Sequence, residues 1–119
     1  MSIRSAIYDL LNDVEADVYP LYAPQETTDP YVAYTMRTEP VRTQEGVALT
    51  EVSLTLEIFA NTFDEAITLA ASLYTGLEGA SGTYDSESLM ICNWTMESED
   101  YIPNLDKINI TQEYLLKFE

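Results

Sequence analysis

Residues 51–58 alternate without a break. Glu51, Ser53, Thr55 and Glu57 are polar, and Val52, Leu54, Leu56 and Ile58 are apolar. Side chains of a strand point to opposite faces in turn, so this run buries one face only as a strand with a wetter reverse side. A helix would scatter the same residues around its circumference. The pattern predicts a strand over Val47–Ala60. A second layer must cover its apolar face, and in a chain of 119 residues that layer has to come from nearby segments.

Two helical segments can supply it. Residues 2–16 carry Ile3, Ala6, Ile7, Leu10, Leu11 and Val14 at helical spacing, with Ser2 as N-cap and Asn12, Asp13 and Glu15 off the stripe. A second helix, Phe63–Leu77, follows the long strand. Thr62 and Glu65 have capping-box spacing, in which hydroxyl and carboxylate exchange bonds with opposite backbone amides. Ile67, Ala70, Ala71, Tyr74 and Leu77 read as its buried stripe, and Gly79 as its stop.

The remaining segments are extended. Val18–Tyr22 is apolar but interrupted by Pro20, which allows an edge segment and not a central strand. Residues 23–30 form a polar loop between Pro24 and Pro30. Tyr31–Thr38 alternates, and Pro40 should end it. Val41–Gly46 is the tip of a hairpin, and Ala80–Glu87 is a Gly/Ser/Asp loop. Leu89–Met96 reads as a strand with Met90, Cys92, Trp94 and Met96 on one face. Glu97–Asp100 reads as a charged bulge or turn, continued as loop through Tyr101–Asn104. Lys107–Phe118 closes the chain as a strand with Ile108, Ile110, Tyr114, Leu116 and Phe118 on one side. The expected fold is α+β: a two-layer sandwich in the order α-β-β-α-β-β. An antiparallel sheet of about four strands carries both helices on one face, and residues 1–119 form one domain. The bare face should carry Glu51, Ser53, Thr55, Glu57, Asn109, Thr111 and Glu113.

Charge narrows the function classes. Five Lys and Arg against 21 Asp and Glu give a net charge of −16, and there is no His. Phosphate neutralisation needs Lys and Arg, so duplex binding is disfavoured. Three readings of the acidity remain: solubility or a salt-rich habitat, attraction to a basic partner, or a channel wall that DNA passes without sticking. With 46% hydrophobic residues the chain can still fold around a core. No run approaches the roughly 18 apolar residues of a membrane span. Met1–Ser5 has one basic residue and no apolar core after it, so no signal peptide is expected.

Chemistry finds little to work with. Without His there is no Ser-His-Asp or Cys-His nucleophile and no imidazole metal site. The four glycines are scattered and form no phosphate loop. Glu97, Glu99 and Asp100 lack calcium-loop spacing and read as a solvated acidic turn. Cys92, the sole cysteine, lies in an apolar run and reads as a buried, inert thiol. Two glycosylation sequons, at Asn93 and Asn109, fall inside expected strands and read as coincidence. No catalytic residue, cofactor or metal is expected, and the chain reads as no enzyme.

Surfaces are left to do the work. Tyr8, Tyr34, Tyr74 and Tyr114 sit on or near apolar stripes and read as core. Tyr19, Tyr22, Tyr31, Tyr84 and Tyr101 lie in or beside loops, where tyrosine suits interfaces. Arg37 and Arg42 are scarce cations in an acidic chain, and Arg pairs well with carboxylates. The candidate interface comprises Arg37, Arg42, Thr43, Gln44 and Glu45 at the hairpin tip, and Glu97, Glu99, Asp100 and Tyr101 in the acidic segment.

The chain resembles the tail-completion or tail-terminator family of tailed bacteriophages. The resemblance rests on the order and spacing of several segments. These are helix Ile3–Val14, the Val18-Tyr19 step before Asp29-Pro30-Tyr31-Val32, the long strand ending in Asn61-Thr62, helix Phe63–Leu77, and the closing pair of strands. It implies a ring of subunits, commonly a hexamer, at the head-proximal end of the tail tube. The ring halts tube growth and docks the head-tail connector or stopper, and DNA crosses its lumen without specific binding. It implies residence in the virion after assembly in the host cytoplasm. Two other readings compete: another neck or head-closure component, and an acidic DNA mimic, which would need carboxylates spaced like phosphates along one face.

Overall fold

The computed structural model describes residues 3–14, 18–20, 31–43, 46–84, 87–102 and 107–119. Helix α1 (Ile3–Val14) is followed by strands β1 (Val18–Pro20), β2 (Tyr31–Thr43) and β3 (Gly46–Ala60). Helix α2 (Phe63–Leu77) leads to β4 (Gly82–Tyr84), β5 (Glu87–Ile102) and β6 (Lys107–Phe118). The six strands make one sheet in the order β1-β2-β3-β6-β5-β4. Five of them are mutually antiparallel, and β1 joins the edge in parallel with β2.

The fold is α+β, as the sequence implies, but the sheet is curled and has two short strands beyond the expected four, so the order is α-β-β-β-α-β-β-β in place of α-β-β-α-β-β. Val18–Pro20 takes the edge place foreseen for it. The stretch expected as the loop Ala80–Glu87 instead contains β4, which pairs with residues 87–89 of β5. The expected polar loop of residues 23–30, the N-cap Ser2, and Tyr22 lie outside the described residues.

The alternation in β3 is realised in full. Val52, Leu54, Leu56, Ile58 and Ala60 are all buried, facing Ile110, Tyr114, Leu116 and Phe118 of β6 in one core. On α1, Ala6, Ile7, Leu10 and Leu11 are buried, as the spacing predicts. Helix α1 touches α2 and also β1 and β4, the two opposite edges, so the sheet curls around it. The reverse face carries the polar set expected of it, together with a Tyr31–Phe59 ring stack at 5.2 Å and the Lys107 ammonium 5.4 Å from the Tyr31 ring centroid.

Helix α2 begins where its cap dictates. The Glu65 amide donates to Thr62 Oγ1 at 3.2 Å, while the Thr62 hydroxyl donates to the Glu65 carboxylate at 3.1 Å. The helix ends at Leu77 with Glu78 as its C-cap; Gly79 follows with a φ of 77° that suits glycine, and its amide donates to the Cys92 carbonyl at 2.7 Å. That bond fixes the end of the helix to β5.

Two strands run further than expected. β2 passes through Pro40 to Thr43, because past Tyr34 its outer side has no neighbour among the described residues and a missing N–H there breaks no ladder. β5 continues through Glu97–Asp100 to Ile102 as a regular partner of β6. The expected turn at the acidic residues is therefore a strand. The irregularities of β5 fall earlier, at Met90 and Thr95, each an extra residue opposite β6.

Candidate functional site

The two β5 bulges decide which side chains meet the helices. Each extra residue reverses the alternation, so Leu89, Cys92, Trp94, Glu97 and Glu99 fall opposite Phe118, Leu116, Tyr114, Gln112 and Ile110 on the inner face. The expected shared face of Met90, Cys92, Trp94 and Met96 is thus broken. Cys92 is buried, while Met90, Trp94 and Met96 are exposed.

Helix α2 is turned by about one residue from the expected stripe. Its buried residues are Ala66, Leu69, Ala70, Leu73 and Leu77. Ile67, Ala71 and Tyr74 stand outside the core, with Ile67 at 44% and Tyr74 at 42% exposure. This flank faces β5 across an open groove of about 350 Å³ whose lining includes Ile67, Tyr74, Trp94, Glu97, Glu99 and Ile110. The Tyr74 and Trp94 rings meet edge to face at 5.5 Å. The Trp94 amide donates to Glu78 Oε2 at 2.5 Å, tying the end of α2 to the same strand.

Beneath the groove runs a buried polar chain that centres on Gln112, which the sequence reading passed over. The Tyr114 hydroxyl donates to Gln112 Oε1 at 3.1 Å. Gln112 Nε2 in turn donates to the Ala70 carbonyl at 3.0 Å and to Glu97 Oε1 at 2.8 Å. The signal was available, since Gln112 lies between Ile110 and Tyr114 at the inward parity of β6. Burial, with Cys92, Glu97, Glu78 and Tyr74 around it, raises the Tyr114 hydroxyl above its usual range. Burial, with the Glu78 carboxylate beside it, pushes the Cys92 thiol up to about 12. A thiol so protonated is a poor nucleophile, in line with the inert reading of Cys92. Of the tyrosines expected in the core, Tyr34 and Tyr114 are buried, but Tyr8 and Tyr74 are exposed.

The candidate interface residues divide between the two edges of the sheet. Arg37 is exposed on β2 and pairs with Glu39 two residues on. Arg42 and Thr43 end β2 opposite Val47 and Gly46. Gln44 and Glu45 lie outside the described residues. Glu97, Glu99, Asp100 and Tyr101 are exposed on β5, at the far edge and toward the other end of the sheet. Asp100 is level with Phe59 and Arg42 with Val47, about 40 Å apart along the strands. One chain does not bring the two groups together. Among the described residues, no group of three or more His, Cys, Asp or Glu could hold a metal ion, and no helix is long and apolar enough to cross a membrane.

No protein-family model and no curated relative matches the chain. Among solved structures it is similar to a chain in the virion of a native gene transfer agent particle. The likeness has a TM-score of 0.81 at 16% identity and covers 99% of this chain and 95% of that one. The two share a fold from end to end.

Proposed function

We propose that this chain is a structural protein of a virion and acts as a tail terminator. The fold supports the first part, since nearly every residue of the chain superposes on a component of a gene transfer agent virion. The segment order described above supports the second. On this reading the chain forms a ring, commonly a hexamer in the family, at the head-proximal end of the tail tube. It halts tube growth and offers its other side to the head-tail connector. DNA crosses the lumen past an acidic wall, which repels phosphate and so lets it slide.

The observation that carries the reading is the pair of exposed arms. β2–β3 and β5–β6 extend an elongated molecule of 51 × 24 × 23 Å, and Arg37–Pro40 on the one and Met96–Tyr101 on the other are exposed. A terminator matches the last tube ring with one set of contacts and lacks the set that would bind another. Particles assembled without this chain should show tails of uncontrolled length and heads left unjoined in negative-stain images. Adding the purified chain should restore joined particles. Normal joined particles in its absence would overturn the reading.

A further inference from the structure

We infer that the open edge of β2 in one copy pairs, antiparallel, with the open edge of β5 in a second copy of this chain, and that Arg37 faces Asp100 across the junction. The inference rests on the ring reading above and names the contact that would build the ring.

Among the described residues, β2 is flanked on its outer side only at Val32–Tyr34, by β1. β5 is flanked on its outer side at Glu87–Leu89 by β4 and at Cys92 and Trp94 by the end of α2, through the Gly79 amide and the Glu78 carboxylate. Among the described residues the sheet therefore ends in two edges with no further strand, Thr35–Thr43 on one side and Thr95–Ile102 on the other. Open edges are templates for further strands unless something blocks them. Here each block is partial. Pro40 and the register shift at Val41 interrupt β2 late, and the bulges at Met90 and Thr95 interrupt β5 early. Two regular stretches survive, Thr35–Glu39 and Met96–Ile102.

Polarity within the sheet fits. β2 is antiparallel to β3, β3 to β6, and β6 to β5. It follows that β2 and β5 also run oppositely when copies stand side by side in one orientation. β1 and β4 then set the offset, because each fills the part of its edge that the neighbour must avoid. Placing Ile102 of one copy opposite Thr35 of the next seats β5 just past β1 and leaves β4 beyond the end of β2. The neighbour is then displaced along the strands by the separation of Ser53 from Phe59, the levels of Arg37 and Asp100, or about 20 Å. Strands inclined to the ring axis absorb such an offset, as they do in closed sheets.

In this register Met36 meets Tyr101, Arg37 meets Asp100 and Thr38 meets Glu99. The parity agrees from both sides. Pro40 sits in β2 with its nitrogen turned from β3, so Met36 and Thr38, of the same parity, aim their N–H and C=O groups at the open edge. On β5, the Tyr101 amide donates to Oδ1 of the preceding residue, Asp100, at 2.8 Å, a local bond that suits an N–H facing outward. Pairing exchanges that bond for one in the ladder and releases the Asp100 carboxylate. Arg37 and Asp100 then form a pair without backbone hydrogen bonds, the closer kind, with Cα atoms about 4.5 Å apart and side chains on the same bare face. Arg37 is held now only by an exposed partner, Glu39, which is a weak tie. The contact joins different surfaces of the two copies, so it repeats from copy to copy and closes into a ring if the rotation allows.

The test places cysteines at the junction. Under mild oxidation the double variant R37C/D100C should give a covalent ladder that ends at the ring size. R37C alone and D100C alone should give none, and their mixture should give dimers only. Arg37→Asp and Asp100→Arg, both on exposed side chains, should each raise the concentration needed for assembly about tenfold. The combined swap R37D/D100R should restore it. Rings that form normally but never cross-link, and ignore the charge changes, would overturn this pairing and leave the ring reading standing. A chain that stays monomeric even beside tail tubes would overturn both.

Discussion

At the scale of single residues, the informative positions are polar or ionisable groups forced inside. Gln112 is fully buried and spends both kinds of hydrogen-bonding capacity, as acceptor for Tyr114 and as donor to Ala70 and Glu97. Gln112→Leu leaves the Tyr114 hydroxyl without its acceptor in a dry place. It should cost about 1–3 kcal/mol in urea unfolding, the usual penalty for an orphaned buried group. Tyr114→Phe made in that background should then cost clearly less than in the parent chain, because the two residues share one bond. Equal costs in both backgrounds would mean that the hydroxyl is satisfied elsewhere. Cys92 gives a pH prediction. Its folded pKa is raised from the ordinary 9.0 to about 12, so the folded state favours the neutral thiol. The stability this brings is fully present below about pH 9 and is lost as pH climbs toward 12. Burial shifts Tyr34 and Tyr114 upward too, so they add to the same alkaline loss. The urea midpoint should fall progressively above pH 9, and Cys92→Val should make that fall shallower.

At the scale of elements, what could be read from the sequence was whatever is encoded locally. The strict alternation of 51–58 and the Thr62/Glu65 spacing gave β3 and the bounds of α2, because each signal completes itself within one turn or one strand. Thr62→Ala should therefore cost about 1 kcal/mol, measured as a shift in urea midpoint at unchanged slope. No change would show that the Phe63 end is fixed by packing alone. What escaped was whatever depends on a neighbour. Nothing near Pro40 says that β2 is an edge strand there, so proline read as a stop. Nothing near Met90 or Thr95 says that β6 skips them, so Met90 and Met96 read as sharing the face that only Cys92 and Trp94 share. β4 is three residues long and includes Gly82, too little to carry a pattern of its own. On α2, apolar residues from Ala66 to Leu77 cover more of the surface than a single stripe, so periodicity admitted two orientations. The structure buries Leu69 and Leu73 and leaves Ile67 and Tyr74 to line the groove. The candidate interface was legible as a list of scarce cations and clustered acids. Its division between opposite sheet edges was not, since that follows from strand order.

At the scale of the molecule, the net charge of −16 sets the terms on which copies meet. Two approaching copies repel over a range given by the Debye length, about 10 Å in 0.1 M salt and about 30 Å in 0.01 M. The attraction proposed between Arg37 and Asp100 acts only at contact, where salt reaches it less. Salt therefore weakens the barrier to encounter more than it weakens the bond. Raising sodium chloride from about 0.05 M to about 0.5 M, across which the screening length falls well below the width of the molecule, should move the sedimentation profile toward larger species. The melting temperature should rise over the same range, because repulsion within each copy is screened as well. An assembly that instead dissolves as salt rises would mean that long-range attraction holds it together. That would require a basic partner in place of a second acidic copy, because like-charged surfaces gain nothing from low salt.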